Sequence, residues 1–282
     1  MQMLPDFVLL RHRATSVWID AAFKKPEIIE PLWDPDRFFS DERCVVVKDQ
    51  KKIKVGRVSV EVSGVLYRIF IKRYNAFSWR ARFLSIFTRS GAFRSLRGAA
   101  ILQNAGFATA KPIAALESRR CGVVTESFYL SEEIAGGKTA DAYWREDLTK
   151  AQPQRLRRRR RFISGLALTF MALHRQGVYH NDLKDANIIV VPETNGELFY
   201  LLDLEGTRRY SDLNRRRKIK NLVQLNHTLG RLLRRTEKMY FLKVYLDSGF
   251  ASKAVKRRWV TAVLEQSRRR ELKSRRMARK AL

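Results

Sequence analysis

The chain has 282 residues and carries 57 Lys and Arg against 28 Asp and Glu, a formal charge of +29 in which 38 arginines outnumber 19 lysines. At 45% hydrophobic and 11% aromatic it can fill a sizeable core. That excludes wholesale disorder, and the length suits one large domain or two lobes of roughly 100–150 residues. Cys44 and Cys121 are the only cysteines, which excludes a disulfide framework and a thiolate-rich metal centre and suits a reducing cytosol.

The charge implies polyanionic partners, namely nucleic acid, phosphates or anionic lipid. The arginine bias favours phosphate, because the guanidinium fork binds its oxygens bidentately. Residues 1–13 hold Pro5 and Asp6 inside a short apolar stretch and lack a basic leader, a poor signal peptide. The longest apolar run, 162–173, is about a dozen residues, short of the ~20 that a spanning helix needs. The expectation is a cytoplasmic protein, soluble or peripheral at a membrane.

In chain order, residues 1–40 read as an N-terminal extension. Residues 44–48, 58–62 and 65–71 are β-branched and alternating, a β-meander with a hairpin turn at Ser63-Gly64. Helix-like sequence follows over 78–104, closed by Gly106 with Pro112 beyond. Residues 123–134 are extended again, and Gly136-Gly137 is the expected hinge. The helix over 161–175 is apolar nearly all round, the mark of a central core helix, and it stops at Gly177. Two short strands, 188–191 and 198–202, flank a turn at Asn195-Gly196, and the chain after 212 reads as helices. These elements predict an α+β, two-lobed layout. A β-rich N-lobe spans 41–135, a helical C-lobe spans 136–252, and a basic C-terminal helix spans 253–282.

The basic residues are clustered. No Asp or Glu falls between residues 62 and 116, against nine basic residues; 155–161 holds six arginines in seven positions; and 256–280 holds eleven Lys and Arg against two Glu, a net +9. The two densest patches contain one aromatic, Trp259. The stacking platforms of a single-strand RNA binder are therefore missing where charge is highest, and an anionic membrane surface is the favoured partner over nucleic acid.

The sharpest segment is Tyr179-His180-Asn181-Asp182-Leu183-Lys184-Asp185-Ala186-Asn187, an H-x-D-L-K-x-x-N pattern followed by a strand, with Asp203-Leu204-Glu205-Gly206 after the next strand. Phosphoryl transfer needs a carboxylate beside the attacking hydroxyl, here Asp182. It also needs oxygen ligands for Mg²⁺ between the β- and γ-phosphates, here Asn187 and Asp203. His180 reads as a brace for the loop. Lys72, in Ile69-Phe70-Ile71-Lys72, ends a strand where it reaches the α/β-phosphates of ATP. The glycine-rich loop is reduced to Gly56, expected at the phosphates.

With these residues the chain resembles the lipopolysaccharide kinase family, the Kdo kinases and inner-core heptose kinases, which share the protein-kinase fold. The likeness covers roughly residues 40–250 and runs through Tyr67-Arg68-Ile69-Phe70-Ile71-Lys72, Asn104-Ala105-Gly106-Phe107-Ala108-Thr109, Ser131-Glu132-Glu133, Leu173 to Asp182, and Leu201-Leu202-Asp203-Leu204. Asp182-Leu183 with Asn187-Ile188 is more like the Kdo kinases, and Lys184 more like ordinary protein kinases. The resemblance implies ATP- and Mg²⁺-dependent phosphorylation of a sugar hydroxyl on the lipopolysaccharide core or a lipid A-linked acceptor, at the inner face of the cytoplasmic membrane. It implies nucleotide contacts at Lys72, Gly56, Glu132 and Lys184.

One departure matters. Kinases pair the strand lysine with a helix glutamate, and the aligned position here is Ser95. Either Lys72 pairs with Asp203 or with the phosphates, or another carboxylate reaches in, or the chain is a pseudokinase, a basic module holding membrane or RNA. A protein-kinase-like enzyme acting on another substrate is a further alternative. Trp144, Tyr179 and Tyr210 either face a sugar or pack.

Overall fold

The computed structural model describes residues 6–75, 85–149, 154–194 and 196–280. The chain divides into two compact units: residues 1–104, 109–134 and 203–207, and residues 105–108, 135–202 and 208–282.

The first unit contains β1 (Phe7–His12), β2 (Thr15–Asp20), α1 (Pro26–Leu32), α2 (Arg37–Ser40), β3 (Val45–Gln50), β4 (Ile53–Val62), β5 (Val65–Tyr74), α3 (Gly91–Asn104), β6 (Pro112–Arg120) and β7 (Val123–Glu132). The strands form one antiparallel sheet in the order β1-β2-β6-β7-β5-β4-β3. The β4–β5 hairpin turns at Ser63 and Gly64, at φ +50° and +79°, the doubly left-handed turn whose twist matches the strands it joins.

Alternation sends side chains to two faces. Val17, Ile19, Ile69, Ile71, Leu116 and Phe128 are buried on one face with Ile28 and Leu32 of α1. Trp18, Ala115 and Tyr129 meet Phe93 and Leu96 of α3 on the other. Residues 7–20, expected only as part of an extension, are thus two strands of the sheet. Thr15 pairs with Ser118, 103 residues on, a partner that no local pattern announces. Of the helix expected over 78–104, residues 78–84 lie outside the described residues, and α3 begins at Gly91. Ser90 caps it, its Oγ accepting from the Phe93 N–H at 3.2 Å.

The second unit contains β8 (Lys138–Thr139), α4 (Ala140–Tyr143) running into a wider turn at Trp144–Leu148, α5 (Arg155–Arg175), β9 (Val178–Tyr179), β10 (Ile188–Glu193), β11 (Gly196–Leu201), β12 (Arg208–Arg209), α6 (Arg215–His227), α7 (Arg235–Leu246) and α8 (Lys253–Lys280). Its small sheets run β11-β10-β8 and β12-β9. Asn195 of the expected turn lies outside the described residues; Glu193 pairs with Gly196 across that hairpin. Gly177, at φ +72°, ends the turn after α5, where any Cβ would lie 2.0 Å from the Tyr210 carbonyl. Only glycine fits there.

Two expectations are corrected. Helix α5 buries one face, through Phe162, Ile163, Leu166, Phe170 and Leu173, while Leu168 is 46% exposed; it is amphipathic and not enclosed all round. The arginine run at its start is also partly drawn inward. Arg159 is buried, ion-paired to Glu237 and 4.6 Å over the Trp144 ring, and Arg161 reaches Glu197 at 3.7 Å. These acids and the ring offset the repulsion of stacked cations at a helix N-terminus. Among the described residues no helix is long and apolar enough to cross a membrane.

Because Ile19 is fully buried, Ile19→Ala should destabilise the protein by about 2–5 kcal/mol. A urea midpoint unchanged from wild type would show that residues 7–20 are not part of the core.

Candidate active site

In the second unit, the H-x-D-L-K-x-x-N segment forms the loop between β9 and β10. Lys184 Nζ lies 2.6 Å from Asp182 Oδ2, and Asn187 Nδ2 donates to the Asp182 carbonyl at 2.7 Å and to Oδ2 at 3.2 Å. The carboxylate of Asp182 is therefore oriented by two donors from its own loop. Because the Asn187 amide group turns its nitrogen toward Asp182, its Oδ1 is left as an oxygen donor. His180 is fully buried and donates from Nε2 to the Leu202 carbonyl at 2.9 Å, and Leu202 N–H donates to the Asn187 carbonyl at 2.9 Å. The loop is thereby braced to the strand that leads into Asp203.

A second layer comes from α6 and was not legible in the motif. Asn221 Nδ2 donates to the His180 carbonyl at 2.5 Å and to Gln224 Oε1 at 2.9 Å, while Gln224 Nε2 donates to the Asn181 carbonyl and its Oε1 accepts from the Leu183 N–H at 3.2 Å. Asn221 Oδ1 is left to face His174 Nε2 at 3.1 Å, and His174 Nδ1 meets the Tyr245 hydroxyl at 2.8 Å. An amide oxygen only accepts, so Nε2 carries the proton and Nδ1 accepts from Tyr245. Burial, only partly opposed by the Asn221 bond, pushes the His174 pKa down to about 4. The ring is neutral at pH 7 and joins α5, α6 and α7.

In the first unit, Lys72 near the end of β5 extends its ammonium to Asp203 Oδ1 at 2.7 Å. Burial works against this charge, but Tyr74 and Asp203 outweigh it and the Lys72 pKa is raised. The ammonium also lies 4.9 Å from the centre of the Tyr74 ring, a cation–π distance. Asp203 itself has φ +60° and ψ +58°, a left-handed conformation that costs about 1–2 kcal/mol for a residue with a Cβ, and such strain clusters at functional sites. Of the alternatives for a chain without the helix glutamate, the structure holds the first: Lys72 pairs with Asp203.

Gly56 is not in a loop. It sits within β4 between Val46 and Ile71, and an added Cβ would lie 2.8 Å from Cys44 Sγ and 2.9 Å from the Phe39 ring; packing accounts for this glycine. The β3–β4 turn carries Lys51 and Lys52, both exposed. Glu132 ends β7 with its carboxylate 3.6 Å from Lys111 and its N–H donated to the Lys111 carbonyl at 2.9 Å. Trp144 and Tyr179 are 1% and 7% exposed and pack; Tyr210 is covered by Arg217 at 4.1 Å.

Asp203 in the first unit and Asn187 in the second each carry the kind of hard oxygen that Mg²⁺ prefers. An asparagine oxygen and an aspartate are hard ligands, and Mg²⁺ takes only one or two protein carboxylates beside phosphate. No group of three or more His, Cys, Asp and Glu able to hold a metal occurs among the described residues.

A family model described as Kdo, the lipopolysaccharide kinase (Kdo/WaaP) family, matches residues 39–245. Among solved structures, one titled "WaaP in complex with acyl carrier protein" superposes with a TM-score of 0.59 at 22% identity, covering 88% of this chain and 96% of that one. That likeness establishes the protein-kinase-like, two-lobed fold. A search of curated proteins found no match.

The buried His174 yields a pH dependence. Its folded pKa of about 4 lies below the ~6.5 of an unfolded histidine, so the unfolded chain binds the extra proton. This contribution to stability is fully present above pH 6.5 and is lost as pH falls toward 4, up to about 3 kcal/mol. Urea midpoints across that window should fall less steeply for His174→Gln than for wild type; parallel curves would remove His174 as the cause.

Proposed function

The chain belongs to the lipopolysaccharide kinase (Kdo/WaaP) family, and on that premise we propose that it is an ATP- and Mg²⁺-dependent phosphotransferase acting on a Kdo or heptose hydroxyl of the lipopolysaccharide inner core. The observation that carries the reading is Asp182, whose carboxylate is held by Lys184 and Asn187 within a loop clamped by α6.

Mg²⁺–ATP, when bound, supplies the phosphoryl group and the cation that neutralises its oxygens. Asp182 accepts the proton of the acceptor hydroxyl as that oxygen bonds to the γ-phosphorus and the bond from phosphorus to the β-phosphate oxygen breaks. Lys184 keeps Asp182 oriented and brings positive charge beside the transferred group. Asn187 and Asp203 would hold the metal, and Lys72 would hold phosphate oxygens. The backbone about Glu132 would meet the base. Positioning and charge neutralisation supply most of the rate.

Docking on an anionic glycolipid surface is the second element of the proposal. On α8 the half-buried side holds Trp259, 5.6 Å from the Tyr245 ring, and Ser267, 3.0 Å from Asn226. Arg257, Arg258, Arg268, Arg269, Arg270 and Lys273 are exposed. Leu264 and Leu272, at 50% and 58% exposure, sit two turns apart on one side with Arg268 between them. A basic helix face with protruding leucines suits the interface of an acidic bilayer, each surface cation adding about 1 kcal/mol.

Asp182→Ala should lower phosphate transfer from ATP to core lipopolysaccharide by about 100- to 10,000-fold with folding intact; persistence of transfer would refute the mechanism, and transfer absent from wild type would favour a pseudokinase. Co-sedimentation with vesicles containing anionic lipid should weaken as salt rises and in the double variant Leu264→Asp/Leu272→Asp. Binding indifferent to both would remove α8 as the docking face.

A further inference from the structure

Helix α3 contains no acid, and the position at which kinases carry the partner of the strand lysine is Ser95. The helix is nonetheless tied to the nucleotide residues by other means. Ser95 Oγ lies 2.6 Å from the Tyr74 hydroxyl, and the Tyr74 ring is the one that lies 4.9 Å from Lys72 Nζ. One residue earlier on the helix, Arg94 forms an ion pair with Glu205, two residues beyond Asp203. Both side chains are about a third exposed, 36% and 31%, so solvent screens the pair only in part. One turn further along α3, Gly98 lies against the turn. A Cβ there would stand 2.3 Å from the Leu204 carbonyl, so the helix backbone approaches the turn closely at this glycine. Phe93 and Leu96 anchor α3 to the sheet through Trp18, Ala115 and Tyr129, which gives the helix a firm base from which to hold the turn.

Resting on the kinase reading above, we propose that Arg94 and Glu205 form a charge-reversed substitute for the usual lysine–glutamate pair. Glu205 is a positioning residue that holds the left-handed Asp203 turn against α3 in the geometry required for Mg²⁺. The cation sits on the helix and the carboxylate on the turn, the opposite of the usual order. A pair of this polarity lets α3 secure the metal-ligand turn directly, while Tyr74 relays its position to Lys72. The arrangement accounts for the absence of acids in α3: a helix carboxylate would compete with Glu205 for Arg94 and with Asp203 for Lys72.

The test uses the full-length protein, with ATP turnover and the thermal shift caused by Mg²⁺–ATP both measured as a function of Mg²⁺ concentration in Glu205→Gln, Arg94→Gln, Arg94→Lys and the swapped double variant R94E/E205R. Contact pairs couple strongly in such cycles. Glu205→Gln and Arg94→Gln should each raise the Mg²⁺ concentration for half-maximal turnover about tenfold, with Arg94→Lys close to wild type and the swap restored to within about threefold. If the swapped protein does not fold by circular dichroism, the contrast between Arg94→Lys and Arg94→Gln decides. A Mg²⁺ requirement within about twofold of wild type in both Gln variants would overturn the proposal, even if their melting temperatures fall, because the pair would then serve folding alone. Wild-type protein that turns over no ATP would instead overturn the kinase reading, and this inference with it; that result is visible before any variant is made.

Discussion

A half-buried ammonium is held best by a counter-charge, and Lys72 has none nearby in sequence, since residues 62–116 contain no carboxylate. Its partner is Asp203, 131 residues on. Much of the first unit's architecture follows from that pairing. Residues 203–207 belong to it although the chain on either side belongs to the second unit. Asp203 takes a left-handed backbone, and the following turn packs on α3 so closely that Gly98 can carry no side chain.

The second unit solves a similar positioning problem without charge. The loop carrying Asp182 is held through the backbone carbonyls of His180 and Asn181 and the N–H of Leu183, all by Asn221 and Gln224, with His174 and Tyr245 behind them. In this network Asn221 and Gln224 pair both amide nitrogen and amide oxygen, the condition under which a buried polar cluster favours one arrangement over its neighbours. Neutral amides leave the loop's own charges, Asp182 and Lys184, to face each other. Where the structure ties Lys72 to the turn after β11 it uses ions, and where it must keep a loop still it uses amides.

What could be read from the chain was whatever depends on neighbours in sequence. The loop from His180 to Asn187, the hairpin at Ser63-Gly64 and the stop at Gly177 are local devices, and each is in the structure. Patterns whose meaning depends on distant partners were not decided locally. Gly56 read as the remnant of a phosphate loop, and the structure adds that it lies within β4 and makes room for Phe39 and Cys44. The arginines at 155–161 resembled a free polyanion surface, yet Arg159 and Arg161 answer Glu237 and Glu197. Apolar residues around α5 suggested a fully enclosed helix, but composition does not say which side a neighbour covers, and Leu168 is exposed.

By itself, then, the sequence determined the identity of the chemical groups and the order in which they arrive: a carboxylate, a lysine and an asparagine on one loop, a second aspartate after the next strand, and a lysine without a local partner. Spacing along a strand or a tight loop carries that information, because a few covalent bonds leave little freedom. Only the tertiary structure decided the pairings, Lys72 with Asp203, Arg94 with Glu205 and His174 with Asn221, and with them the answer to the missing helix glutamate. Each joins residues 47 to 131 positions apart, a separation over which sequence leaves the choice of partner open and the packing of distant elements makes it.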